Sequence, residues 1–276
     1  MTVANALAVG ELVQAGLERR EARWLVEEFG SKSDPDARGG LDEAARRRLA
    51  GEPLQYVLGH WPFRSLDLDL DARVLIPRPE TEELVGIALM ELTRCAVASP
   101  TILDLGCGSG AIGLAILAET RQRAVAATLI ALDVSADALV VARRNALKHG
   151  LDAVSFVKSS WFAGLDESLR GQIDLIVANP PYVASDEFDS LDPVLAHEPR
   201  HALVAGDACD TPGFAELATI IEQAPRWLSD NGVLICEHGR DQREAALGCA
   251  RAAGFSSVRD HDDLSGHPRI LIATVS

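Results

Sequence analysis

Apolar side chains recur at three- and four-residue intervals among charges in residues 2–17, 20–29 and 41–50, with Ala, Leu, Val and Trp forming the apolar stripe. That spacing predicts three short amphipathic helices, separated by the stretch from Gly30 to Gly40. Beyond Pro53 the period drops to two. Leu66, Leu68 and Leu70 alternate with Asp67, Asp69 and Asp71, while Pro53, Pro62, Pro77, Pro79 and Gly59 punctuate the segment, so a half-buried β-hairpin is expected there. Apolar runs then alternate with helical patterns: strand Thr101–Leu105, helix Gly110–Glu119, strand Thr128–Asp133, helix Ala136–His149, and strands Val154–Val157 and Ile173–Ala178. A helix over Phe214–Leu228, a strand Gly232–Cys236 and a helix Gln242–Ala253 follow. Such alternation predicts an α/β fold with a mostly parallel sheet covered on both faces. The closing segments Phe255–Arg259 and Arg269–Val275 have no helix-length spacer between them, which predicts an antiparallel last strand. The expected domains are a helical unit over residues 1–52, a hairpin linker over 53–79 and the sheet domain over 80–276.

Composition narrows the class. The chain has 276 residues, 47% hydrophobic and 24% charged, which suits a folded globular protein. Twenty-six basic side chains against 41 acidic ones give a net charge of −15, which disfavours affinity won by neutralising nucleic-acid phosphates. Residues 76–276 carry most of that excess, so the larger domain is suited to a cationic ligand or a basic partner. The five cysteines form no Cys-x-x-Cys pair, the start of the chain has no signal-like charged-then-apolar segment, and no apolar run approaches a membrane span. A cytoplasmic protein without membrane contact is expected. The seven histidines show no metal-ligand spacing, so no metal is expected.

The segment Ile102 to Gly113 reads as a buried strand entering a glycine-rich turn that opens a helix, a place where backbone can pass close against a ligand. Gly108, Gly110 and Gly113, with Asp133 twenty residues further on, also satisfy a dinucleotide fingerprint, so the glycines alone do not select a cofactor. Asp104 tilts the choice. A turn that holds a pyrophosphate gains nothing from a neighbouring carboxylate, whereas S-adenosyl-L-methionine (AdoMet) brings an ammonium and a sulfonium. The run Asp104, Leu105, Gly106, Cys107, Gly108, Ser109, Gly110 resembles the first motif of class I AdoMet-dependent methyltransferases. Asp133, at a strand end, can accept both ribose hydroxyls or cap the next helix, a duty Ser135 or Asp137 could equally take. Trp161 can stack on adenine or simply pack.

Asn179-Pro180-Pro181-Tyr182 follows the strand Ile173–Ala178, at the carboxyl edge where open α/β sheets bind ligands. A planar amide or amino nitrogen is a poor nucleophile because its lone pair is delocalised. The Asn179 side-chain oxygen and the Pro180 carbonyl offer two acceptors for its hydrogens, the prolines stiffen the turn, and the Tyr182 ring can lie over the planar group. These four residues are therefore candidates for both catalysis and substrate binding. An ordinary turn is the plain alternative.

Two acceptors suit that tetrapeptide: a nucleobase amine and a glutamine amide. Arg73 to Glu82, Gly51 to Tyr56, Gly59, Phe63, Glu198-Pro199-Arg200 and Asp263 to Arg269 together resemble the peptide chain release factor glutamine methyltransferases, over nearly the whole chain. Pro77-Arg78-Pro79-Glu80-Thr81-Glu82 is the most specific piece. The resemblance implies a class I methyltransferase domain whose acceptor is the Gln of a release factor Gly-Gly-Gln loop. It also implies a helical front domain that helps grip the factor, and an AdoMet site lined by Gly106 to Gly110, Asp133, Trp161 and Asn179. Ser160 stands where relatives usually carry Asp, and Asp207 to Gly213 departs from the family's usual Asp-Gly-Leu. The alternatives are an adenine amino methyltransferase, a ribosomal protein glutamine methyltransferase and a non-catalytic nucleotide-binding scaffold.

Overall fold

A computed structural model describes residues 3–30 and 35–276. Residue 2 of the first expected helix and residues 31–34 of the expected separator lie outside the described residues. Helices α1 (Val3–Gln14), α2 (Arg19–Phe29) and α3 (Pro35–Leu49) form the front unit. The third starts before Gly39 and Gly40, which therefore lie inside a helix rather than in a separator. Proline at a first helical position has its φ already set and lacks only an N–H that would have no partner anyway. Val9, Leu12, Leu25, Val26, Leu41 and Ala44 close a small core that also takes in Leu54 and Val57 of α4 (Leu54–Leu58). That fourth helix falls within the segment expected to be hairpin; a single turn and a half is too short to show a helical period.

The hairpin itself pairs β1 (His60–Phe63) with β2 (Leu66–Asp69), Phe63 opposite Leu66. Its alternation works as expected: Leu66, Leu68 and Leu70 are buried, while Asp67 and Asp69 reach outward to Lys148. Trp61 on β1 meets Trp24 of α2 edge-on at 5.4 Å, joining the front unit to the hairpin.

The main domain begins with α5 (Pro79–Cys95) and continues through β3 (Thr101–Leu105), α6 (Ala111–Gln122), β4 (Thr128–Asp133), α7 (Ala136–Lys148), β5 (Val154–Lys158) and β6 (Ile173–Ala178). The short β7 (Val183–Ala184) and β8 (Val204–Ala205) pair with each other, and α8 (Ala215–Gln223), β9 (Leu228–Glu237), α9 (Arg243–Ala252), β10 (Ser257–Asp262) and β11 (Pro268–Thr274) complete the chain. Seven strands lie in the order β10-β11-β9-β6-β3-β4-β5, and β11 runs antiparallel to both neighbours. Apolar layers cover both faces, with α5, α6 and α7 on one and α8 and α9 on the other. Helix α8 stops short of the expected Leu228 because Pro225 cannot continue it, and the chain turns there into a longer β9. The strand order reverses between β3 and β6, so their carboxyl ends open a crevice at the point where such sheets bind ligands. Among the described residues no helix is long and apolar enough to cross a membrane.

Candidate active site

Gly106, Gly108 and Gly110 take φ values of 69°, 55° and 83° in the turn between β3 and α6. Cys107 N donates to Leu132 O at 2.8 Å, tying the turn to β4. Beneath it Asp104, only 1% exposed, accepts from Gly113 N at 2.9 Å. A Cβ at Gly113 would stand 2.7 Å from that carboxylate oxygen, so only glycine lets the carboxylate reach the start of α6. The other oxygen, Oδ1, has no partner among the described residues. Burial pushes the Asp104 carboxyl up to about 7, helped by the charge of Asp133 and opposed by the Gly113 bond.

Asp133, at the end of β4, accepts from Gly108 N through Oδ2 at 2.9 Å and from Ser135 N through Oδ1 at 2.8 Å. Ser135 caps α7, its hydroxyl accepting from Ala138 N, so Asp133 is not that helix's cap. Each Asp133 oxygen keeps acceptor capacity. The Trp161 ring lies against Gly106, and its indole N–H donates to Glu216 at 2.7 Å.

Gly106, Gly108, Asp133, Trp161, Asn179 and Pro181 line one cavity of about 330 Å³. Asp104, Cys107 and Ser109 are buried beside the cavity rather than in its lining, and Gly110 packs on Leu114 as α6 begins. Ser109 is held from behind, its carbonyl accepting from the Asn145 amide at 2.9 Å.

At the end of β6, the Asn179 Nδ2 donates to Thr81 Oγ1 at 3.3 Å, and Thr81 Oγ1 donates to Glu237 Oε2 at 2.8 Å. Tyr182 Oη donates to Glu237 Oε1 over a longer 3.5 Å. Glu237 is 1% exposed; burial raises its pKa, while the Thr81 hydroxyl and the Arg269 charge pull it back. Burial likewise pushes the Tyr182 phenol well above its ordinary range. The Arg269 guanidinium stands over the Tyr182 ring, 5.8 Å from its centre.

Pro180 is buried behind the cavity wall. The Tyr182 backbone is clamped from outside: Gln242 Nε2 donates to Tyr182 O and to Pro212 O. Gly213, at φ 64°, sits so close that a Cβ there would come within 2.4 Å of Tyr182 O. The departing stretch Asp207 to Gly213 is thus a tight turn, closed by Gly213 N donating to Asp207 Oδ1, that buttresses the tetrapeptide. Arg78 and the Ile76 N–H both donate to buried Glu198, which joins the Pro-rich stretch to the loop beyond β7.

Sequence reasoning singled out the stretch that holds Thr81 without giving it a role, and missed Glu216, Glu237 and Gln242. Glu237 had a readable signal, a carboxylate ending the apolar run Val233 to Cys236 at a strand's carboxyl end.

A glycine turn and an acidic strand end facing Asn-Pro-Pro-Tyr, across the reversal of a seven-stranded sheet with β11 antiparallel, define a class I AdoMet-dependent methyltransferase. A family model described as a methyltransferase domain matches residues 97–262. A methyltransferase from Pyrococcus furiosus shares the fold, with a TM-score of 0.53 at 14% identity, covering 84% of this chain and 98% of that one. The release factor glutamine methyltransferase of Bordetella pertussis is 40% identical over 271 residues, covering 94% of this chain and 96% of its own. That of Agrobacterium fabrum is 41% identical over 240 residues, covering 83% and 79%. The chain belongs to the release factor glutamine methyltransferase family.

Proposed function

We propose that this protein transfers a methyl group from AdoMet to the side-chain amide nitrogen of the Gln in the Gly-Gly-Gln loop of class I peptide chain release factors. The observation that carries the reading is that Asn179 and Pro181 share one cavity with Gly106, Gly108 and Asp133. A group able to hold a planar amide thus faces the surface suited to the cofactor.

The residues present fit AdoMet. The turn is bare of side chains at Gly106 and Gly108, Asp133 retains acceptor capacity for ribose hydroxyls, and the cavity is of small-ligand size. AdoMet, when bound, would supply an electrophilic methyl on a sulfonium, with S-adenosyl-L-homocysteine as the leaving group and the proton of the acceptor nitrogen passing to solvent. Asn179 Oδ1 and the Pro180 carbonyl accept the amide hydrogens, which holds the nitrogen's face toward the methyl. The Tyr182 ring, expected over the planar group, stands outside the cavity lining, with its hydroxyl on Glu237 and Arg269 over its face. Nothing in this arrangement asks for a metal or a strong base.

The helical unit over residues 1–52 and the linker over 53–79 are proposed to help grip the release factor. A groove supports this, lined by Trp24 and Arg48 of the helical unit, Gln55 and Arg78 of the linker and Leu195 of the main domain. The net charge of −15 disfavours adenine in nucleic acid as the acceptor. The test is incubation with labelled AdoMet and either a release factor or duplex DNA. Label is expected on the factor alone and is expected to vanish when the factor's Gly-Gly-Gln glutamine is replaced by alanine. Label on DNA, or on the substituted factor, would overturn the assignment.

A further inference from the structure

We propose that Glu237 and Thr81 are positioning residues that fix which end of the Asn179 amide faces the acceptor. The inference rests on the reading of Asn179 as the group that holds the acceptor amide. It follows from counting protons along a chain of contacts. Thr81 has one hydroxyl hydrogen. An ionised Glu237 can only accept, so that hydrogen goes to Glu237 Oε2 at 2.8 Å. Thr81 Oγ1 is then left as an acceptor and draws the Asn179 NH2 group, 3.3 Å away. The Asn179 carbonyl oxygen is thereby turned to the free arm, the one able to receive an N–H from the acceptor. Protonated Glu237 permits the opposite sense: its proton goes to Thr81, the Thr81 hydrogen goes to Asn179 Oδ1, and the NH2 group faces an acceptor amide that has hydrogens to give. Two donors then meet, and the acceptor loses its hold.

The groups packed around Glu237 come from several elements. Thr81 and Glu80 belong to α5, Tyr182 to the loop after β6 with Arg78 near it, and Arg269 to β11. Burial and Glu80 favour the protonated form, while Arg269, Thr81 and Tyr182 favour the ionised one. Burial is the largest of these influences, which sets the changeover above the ordinary carboxylate range. Methyl transfer should therefore rise with pH along an acid limb that belongs to Glu237.

The test measures single-turnover methyl transfer to a release factor across pH, together with AdoMet affinity. Thr81→Val, of the same shape without the hydroxyl, is expected to slow transfer about tenfold or more while AdoMet affinity stays within about twofold. Thr81→Ser should restore most of the rate. The acid limb should be absent in both Thr81→Val and Glu237→Gln. A wild-type rate in Thr81→Val, or an acid limb that persists in Glu237→Gln, would overturn the proposal. A second readout needs no acceptor: the Asn179 side-chain NH2 resonances of the protein bound to S-adenosyl-L-homocysteine. They should titrate in step with the limb in the wild type and stay flat in Glu237→Gln. That titration without release-factor methylation would keep the relay and discard the substrate. Methylation without the titration would discard the relay alone.

Discussion

Among the described residues Asp104 makes one hydrogen bond, to Gly113, and its second oxygen has no partner, while its carboxyl is raised to about 7. An acid that holds its proton more tightly when folded opposes folding increasingly as pH climbs from its unfolded value of about 4 to its folded value, and no further above it. Asp104→Asn should remove that opposition. The variant's unfolding free energy relative to the wild type should thus improve between those two pH values, by at most about 1.4 kcal/mol per pH unit, and then level off. Urea titrations at a series of pH values check this, and a constant difference would contradict it. Asp133 has a different task. On the proposed reading Asp133 accepts the ribose hydroxyls, and Asp133→Ala removes that acceptor along with the bonds to Gly108 and Ser135, so calorimetry should find AdoMet affinity weaker by about 2–4 kcal/mol. Ser135→Ala should cost about 1 kcal/mol of stability as a lost cap and leave affinity alone. Asp133 and Asn179 were legible in the sequence because each closes a recognisable apolar strand beside its motif. Thr81 and Glu237 were not legible as a pair, since they lie 156 residues apart and only the packing of α5 against β9 brings them together.

Strands β3, β4 and β6 announced themselves because a sheet covered on both faces needs continuous apolar runs, and the segment Ile173–Ala178 has the bounds expected of it. Helix α4 did not, being five residues long, and the onset of α3 at Pro35 was hidden by Gly39 and Gly40, which read as breakers but are carried by the helix. The turn from Asp207 to Gly213 is the element whose purpose needed the fold, because its target, the Tyr182 carbonyl, is remote in sequence. Gly213→Ala puts a side chain on a left-handed residue and drives it into that carbonyl, where the neighbour is backbone and cannot swing aside. The expected result is a loss of about 2–3 kcal/mol in denaturant unfolding, with a fall in kcat greater than any change in AdoMet affinity. A variant as stable and active as the wild type would mean that the turn does not brace the tetrapeptide.

At the scale of the molecule, the front unit is coupled to the hairpin segment through apolar contacts with Leu54 and Val57 and through the Trp24–Trp61 pair. Deleting residues 1–50 would strip cover from Leu54, Val57 and Trp61, so the melting temperature should drop. The cavity is lined only from Arg73 onward, so AdoMet binding should survive. The apparent KM for release factor should rise, by about tenfold or more if the groove contributes its share of contacts. Steady-state kinetics with an intact factor checks this, and an unchanged KM would remove the front unit from substrate recognition. The central claim concerns what Asn179 holds and where the methyl goes. Its most direct test is tandem mass spectrometry of a release factor after a timed single turnover, with wild-type protein and Asn179→Ala loaded equally with AdoMet. The account predicts one methyl group on the Gly-Gly-Gln glutamine with the wild type. With Asn179→Ala it predicts transfer at least ~100-fold slower, and with Asn179→Asp an intermediate rate. A methyl group on any other residue, or equal rates for the wild type and Asn179→Ala, would contradict it.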